Sequence, residues 1–146
     1  MEFQHTETFD QPAETVFALL SDLDARPSWL PEITRHEVTP PGPAQVGTTY
    51  FEAATYSGYK SEKTSTVTAF EQDRLLTLTT IPGSPQDFVE TVRVEPLSPT
   101  SCSVHFTTQI DGVPKVAAFF MRQSMKKTLP TNARRLKEVL AGRRTS

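Results

Sequence analysis

The fold of this chain is set by the segment FDQPAETVFALLSD, residues 9–22, where the hydrophobic pattern changes from that of a strand to that of a helix. Residues 2–9 mix Phe and Thr in the manner of a first strand. Asp10 or Gln11 can then cap a helix, and Pro12 suits its first position. Apolar side chains follow at helical spacing: Ala13, Val16, Phe17, Leu19 and Leu20. The segment predicts a short amphipathic helix directly after the first strand.

A second short helix or turn is predicted between Asp24 and Leu30, where Pro27 and Pro31 punctuate the sequence. Its one large side chain is Trp29. Two roles stay open for this indole: it walls the mouth of a cavity, or it anchors the segment in the core.

The middle of the chain, from Ile33 to Ile110, shows strand patterns separated by turn residues, with no helical window of useful length. Turns this short join antiparallel neighbours, because a parallel crossover needs a dozen residues or more. We therefore expect six antiparallel strands, with residues 2–9 available as a seventh. They lie near residues 33–39, 47–56, 60–71, 74–81, 86–95 and 102–110.

The end of the chain predicts a long amphipathic helix from Val113 to about Leu140. Pro130 falls on its polar side, where a kink bends a helix around the core. Two helices broken at Leu129 are the alternative. A curled sheet is wider than one helix, so a space lined by inward-facing strand residues is expected between them.

The composition argues against several functional classes. The chain has 146 residues and a net charge of −2, so no strong field draws in nucleic acid. One cysteine, Cys102, builds neither a disulfide framework nor a cysteine-based zinc site. His5, His36 and His105 lack metal-ligand spacing, so we expect no metal and no cofactor. Without a signal peptide pattern or a membrane-span pattern, we expect one cytoplasmic domain over residues 1–146, with no stable membrane insertion.

Three motifs carry a resemblance to a known family: FDQPAETVFALLSD at 9–22, PSWLPEI at 27–33 and VGTTY at 46–50. With the order of elements along essentially the whole chain, they resemble the SRPBCC, or START-like, superfamily, and its polyketide cyclase/dehydrase branch most. The resemblance implies an α+β helix-grip fold: a seven-stranded antiparallel sheet curled around a long C-terminal helix, two short helices between strands 1 and 2, and a ligand cavity between sheet and helix. It implies no catalytic residue.

Glu90 is the most informative polar residue, because it alternates with Phe88 and Val92 and should point inward with them. Burial would raise the pKa of such a carboxyl group and suit it to act as a general acid or base. The alternatives are a bulge that returns it to solvent, or an ion pair with Arg93 or Arg122.

The other candidates lie on one hairpin and on the last helix. Tyr50, Glu52 and Tyr56 share strand parity, so their polar groups would orient a ligand unless the rings only pack across strands. Arg122 lies at the edge of the apolar helix face and either contacts an anionic group or snorkels to solvent. The catalytic candidates are Glu90, Tyr50 and Arg122. The predicted ligand-binding residues are Trp29, Tyr50, Glu52, Tyr56, Tyr59, Phe88, Val92, Phe106, Thr108, Ala118, Met121 and Met125.

The first two turns of the last helix are apolar nearly all round. Val116, Phe119 and Phe120 lie on the side that carries Lys and Arg farther along. Either neighbouring segments cover this stretch, or it is an exposed patch for a moving lid or a partner subunit. We expect a lid or a homodimer contact through these three residues.

Three functions follow from these patterns. The first is a binder of a hydrophobic small molecule, such as a lipid, polyketide or aromatic metabolite. The second is an enzyme of the polyketide cyclase/dehydratase type, which positions a reactive chain in the same cavity. The third is a protein-interaction module of a co-chaperone or stress-response kind.

Overall fold

The computed structural model describes residues 1–56, 59–84 and 86–144. Within these residues the elements follow one another in this order: β1 (Glu2–Phe9), α1 (Ala13–Ser21), a 3₁₀ turn (Leu23–Ala25), α2 (Arg26–Trp29), β2 (Ile33–Thr39), β3 (Thr49–Tyr56), β4 (Tyr59–Glu71), β5 (Leu75–Thr80), β6 (Asp87–Ser98), β7 (Ser101–Asp111) and α3 (Lys115–Arg144). The predicted α+β fold class is confirmed, and the predicted strands differ from the observed ones only by a few residues at their ends.

The seven strands of the described chain form one antiparallel sheet in the order β1-β7-β6-β5-β4-β3-β2. Consecutive strands from β2 to β7 are neighbours, because short turns connect them. The first strand joins the last, so β1 and β2 are the two edges of the sheet.

One face of the sheet, here called the inner face, carries the core. Helix α1 packs on it against β6 and β7 and buries Val16, Phe17 and Leu20. The predicted capping of α1 is wrong in detail. Pro12 is the N-cap residue rather than the first helical residue, and no side chain caps the helix. The Pro12 carbonyl oxygen accepts hydrogen bonds from the amides of Thr15 and Val16 instead.

Helix α3 runs without a break from Lys115 to Arg144 and contains Pro130, so the continuous helix is the correct alternative. Its second half is anchored in the core by Ala133, Leu136 and Leu140, and the helix packs against β1 and α2. Its first half, residues 115–132, has no buried side chain. The two halves of one helix therefore have different environments. No helix in the described ranges combines the length and the apolar character needed to cross a bilayer.

Candidate functional site

The inner face of β6 and β7 opens partway along its length. Val94 and Val104 face each other across the two strands and are fully buried beneath α1. The next pair along, Val92 and Phe106, packs against the core but is only half-buried. Beyond it, Glu90 and Thr108 are also half-buried. The cover over the inner face is thus interrupted after the first of these three pairs, and Ile110, opposite Phe88, is buried again.

Helix α3 carries an apolar stripe along its first half. Ala118, Met121 and Met125 recur at helical spacing and lie on the helix face that buries Leu136 farther along. All three are half-buried, unlike their neighbours on the opposite side. We take this stripe and the half-buried residues Phe88, Val92, Phe106 and Thr108 together as one candidate region, here called the inner cleft.

Four charged side chains meet at one end of the inner cleft. Arg26 at the start of α2 places Nη2 3.1 Å from Glu90 Oε2 and 3.4 Å from Glu52 Oε2. Lys63 of β4 donates to Glu90 and places Nζ 3.9 Å from Glu52 Oε1. Each cation thus contacts both carboxylates. We call this group of four side chains the ionic ring. It has no net charge, because two cations balance two carboxylates.

The ionic ring also shows how the sheet is shaped. Glu52 lies on β3 and Glu90 on β6, three strand spacings apart, which is about 14 Å in a flat sheet. One guanidinium group contacts both carboxylates, so long side chains on a curled sheet must converge toward α2. The residues between them on β5, Leu76 and Leu78, are buried below.

The cations decide the ionisation of Glu90. Burial alone would raise its pKa, but the charges of Lys63 and Arg26, and the hydrogen bonds that both donate, outweigh burial and hold the pKa well below its usual range. The expectation of a raised pKa is therefore wrong, and so are both of its alternatives. Glu90 points inward as predicted, and its partners are Arg26 and Lys63 rather than Arg93 or Arg122.

Several polar atoms beside the ionic ring have no hydrogen-bond partner among the described residues: Arg26 Nε, Trp29 Nε1, Tyr50 Oη and Glu52 Oε2. The Arg26 guanidinium carbon lies 5.8 Å from the centre of the Trp29 ring and 5.3 Å from that of Tyr50. Burial raises the pKa of Tyr50 above its ordinary value, against the opposing charge of Arg26, so its hydroxyl stays protonated at neutral pH. This corner of the core therefore holds three unused donors, on Arg26, Trp29 and Tyr50, and one unused carboxylate acceptor on Glu52.

The structure sorts the predicted site residues into three groups. Seven of them are half-buried, on the inner face of the sheet or on the α3 stripe: Phe88, Val92, Phe106, Thr108, Ala118, Met121 and Met125. Trp29, Tyr50 and Glu52 are buried, so Trp29 anchors α2 in the core instead of lining a surface. Arg122 is exposed and does not join Glu90. The side chains of Tyr56 and Tyr59 lie outside the described part of the structure.

Sequence reasoning missed Arg26 and Lys63. A signal for Lys63 was present, since counting outward from the Ser57-Gly58 break pairs it with Glu52, as the observed register does. Arg26 offered no such signal, because α2 is only four residues long and nothing in its pattern fixes which way it points.

Two surface depressions of about 250 Å³ each lie outside the inner cleft. One is on the outer face of β6 and β7 and is lined by Val89, Thr91, Arg93, His105, Thr107 and Gln109. The other lies beside Ile81 and Pro82. In the described ranges, no three His, Cys, Asp or Glu side chains come together as metal ligands would.

The fold is shared by proteins of known structure. A START superfamily protein from Mycobacterium smegmatis superposes with a TM-score of 0.80 at 17% identity, over 97% of both chains. Norcoclaurine synthase from Thalictrum flavum, in complex with dopamine and hydroxybenzaldehyde, gives 0.71 at 16%, over 97% of this chain and 87% of that one. The di-domain ARO/CYC protein BexL gives 0.70 at 19%, over 94% of this chain and 45% of that one.

Sequence comparison gives the family. No curated protein shows significant similarity to the chain. A family described as "Polyketide cyclase / dehydrase and lipid transport" matches residues 1–141. The predicted START-like relationship is therefore confirmed, and the chain belongs to the polyketide cyclase/dehydrase and lipid transport family.

Proposed function

We propose that this protein binds a small, largely apolar molecule in the inner cleft, with a polar group of the ligand at the ionic ring. The observation that carries the proposal is the change in burial along β6 and β7. Val94 and Val104 are sealed, whereas Val92 and Phe106, one pair farther along, are apolar and only half-buried. Covering them with a ligand removes apolar surface from water, and this drives binding.

The facing surfaces fit a flexible or aromatic ligand. The floor supplies the rings of Phe88 and Phe106, and α3 supplies the thioethers of Met121 and Met125. Methionine side chains adapt to different shapes and contact aromatic rings favourably. The description of the family, which names polyketide cyclases, dehydrases and lipid transport, supports an apolar ligand of this kind.

Two members of the ionic ring are accessible to the polar end of a ligand. The Lys63 and Glu90 side chains are 14% and 21% exposed, whereas Arg26 and Glu52 are buried. Since the ring is already neutral, a charged ligand group would add an uncompensated charge, and an uncharged hydroxyl, carbonyl or amine group fits better. Lys63 would donate to such a group and Glu90 would accept from it.

The ion pairs favour binding over catalysis of the cyclase/dehydratase type. A carboxylate whose pKa is held low is a weak general base at neutral pH, because it gains little by taking a proton. Replacing Glu90 with Gln separates the two functions. If the protein is a binder, Glu90→Gln changes only its affinity for the ligand. If it is an enzyme, Glu90→Gln abolishes turnover and leaves the affinity for the substrate unchanged.

The experiment is a fluorescence titration with N-phenyl-1-naphthylamine, an uncharged aromatic probe with one N–H group. Val92→Trp fills the inner cleft, and Val89→Trp places the same ring on the outer face of the same strand. We expect saturable binding of one probe by the wild type and by Val89→Trp, with the affinity of Val92→Trp lower by about tenfold or more. Equal affinities in the two variants, or no saturable binding by the wild type, would contradict the proposal.

A further inference from the structure

The outer side of the first half of α3 exposes three large apolar side chains. Val116, Phe119 and Phe120 are 72%, 59% and 66% exposed. The two rings contact each other edge to face, with centroids 5.6 Å apart. They lie on the side of the helix opposite Ala118, Met121 and Met125, so they do not line the inner cleft.

Basic side chains surround these rings. Lys115 precedes Phe119 by four residues, and Lys126 and Lys127 follow Phe119 and Phe120 by seven, which places them on the same side of the helix. Arg122 lies beside them, one turn after Phe119. Residues 112–137 contain no Asp or Glu. None of these four cations forms an ion pair with a described residue, and all four are exposed.

We infer that this side of α3 docks on an anionic lipid bilayer. Amphipathic helices lie on membranes in this way. Their aromatic side chains enter the headgroup region, and the long basic side chains around them reach the lipid phosphates. Because the chain as a whole carries a net charge of −2, the attraction is local and orients the molecule with α3 toward the lipid.

Charge favours the bilayer over a second copy of the chain. A symmetric dimer through this side would bring four cations against the same four cations. An anionic lipid layer instead supplies negative headgroups for the four cations and, beneath them, hydrocarbon for the Phe119 and Phe120 rings. Docking does not depend on the ligand of the inner cleft.

The test is co-sedimentation of the full chain with vesicles. We expect binding to phosphatidylcholine vesicles containing about one third phosphatidylserine, and weak binding to phosphatidylcholine alone. Binding should fall in high salt, because ions screen the basic side chains. Phe119→Ser combined with Phe120→Ser, and separately Lys126→Gln combined with Lys127→Gln, should each lower the bound fraction severalfold.

The controls are matched in chemistry and placed elsewhere. Leu97→Ser changes an apolar side chain that is 58% exposed at the far end of β6, and Lys60→Gln removes an exposed cation on β4. Both should bind as the wild type does, and circular dichroism should show that every variant is folded. Equal binding to both vesicle types, or equal losses of binding in the control variants, would overturn the inference. A third contrary result is that the wild type binds no vesicle and instead forms a concentration-dependent dimer, which the Phe119 and Phe120 changes abolish.

Discussion

At the residue scale, Glu90 shows that strand parity predicts where a side chain points but not its state of ionisation. Alternation with Phe88 and Val92 placed the carboxylate on the inner face, as observed. The direction of its pKa shift depends on Arg26 and Lys63, which are 64 and 27 residues away in sequence. The hairpin register pairs Lys63 with Glu52, but no local pattern brings Lys63 or Arg26 to Glu90, so the expectation was wrong.

Removing the charge of Glu90 should destabilise the fold, because Arg26 and Lys63 would keep a single carboxylate between them. We expect Glu90→Gln to lower the free energy of unfolding by roughly 3 kcal/mol. The control is Glu62→Gln, because Glu62 and its partner Arg35 form an exposed ion pair. This change should lower the free energy of unfolding by less than about 1 kcal/mol. Urea unfolding measures both, and similar costs would show that the ionic ring adds no stability.

The same residue should make stability depend on pH in the acid range. The folded-state pKa of Glu90 lies below its unfolded value, so its contribution is fully present above about pH 5 and is lost as pH falls through the folded pKa. The difference in free energy of unfolding between wild type and Glu90→Gln should therefore narrow from about pH 5 to about pH 3. A difference that stays constant or grows over this range would refute the assigned shift.

At the scale of elements, α3 is one helix with two environments. Its position and continuity were predictable, because its apolar face continues past Pro130, which lies on the polar side of the helix. The sequence could not show that only the second half is packed, since Met121, Met125 and Leu129 continue the same face without a break. How far a sheet extends beneath a helix is a property of the tertiary structure.

Two leucines on this face test the division of α3. Leu136→Ala should cost roughly 3 kcal/mol, because it leaves a cavity in the core. Leu129→Ala should cost about 1 kcal/mol, since Leu129 is only half-buried. Urea unfolding of the two variants gives the comparison. An equal cost at both positions would mean that the first half of the helix is packed as tightly as the second.

At the scale of the whole molecule, the order of strands and helices was predictable because turn residues and short connections leave few antiparallel arrangements. The same alternation placed Phe106 and Thr108 on the inner face, where both are half-buried. The ionic ring was not predictable in this way, because Arg26 arrives from α2, outside the sheet, and only the folded chain brings it to Glu52 and Glu90.

The central claim is that a ligand occupies the space between the inner face and the first half of α3. Methyl NMR of protein labelled at valine and methionine, titrated with N-phenyl-1-naphthylamine, tests it most directly. The claim predicts that the methyl signals of Val92, Met121 and Met125 shift together and saturate, while Val89 on the outer face and Val46 in the β2–β3 connection stay unchanged. Shifts at Val89 with none at Val92 or Met121 would contradict it.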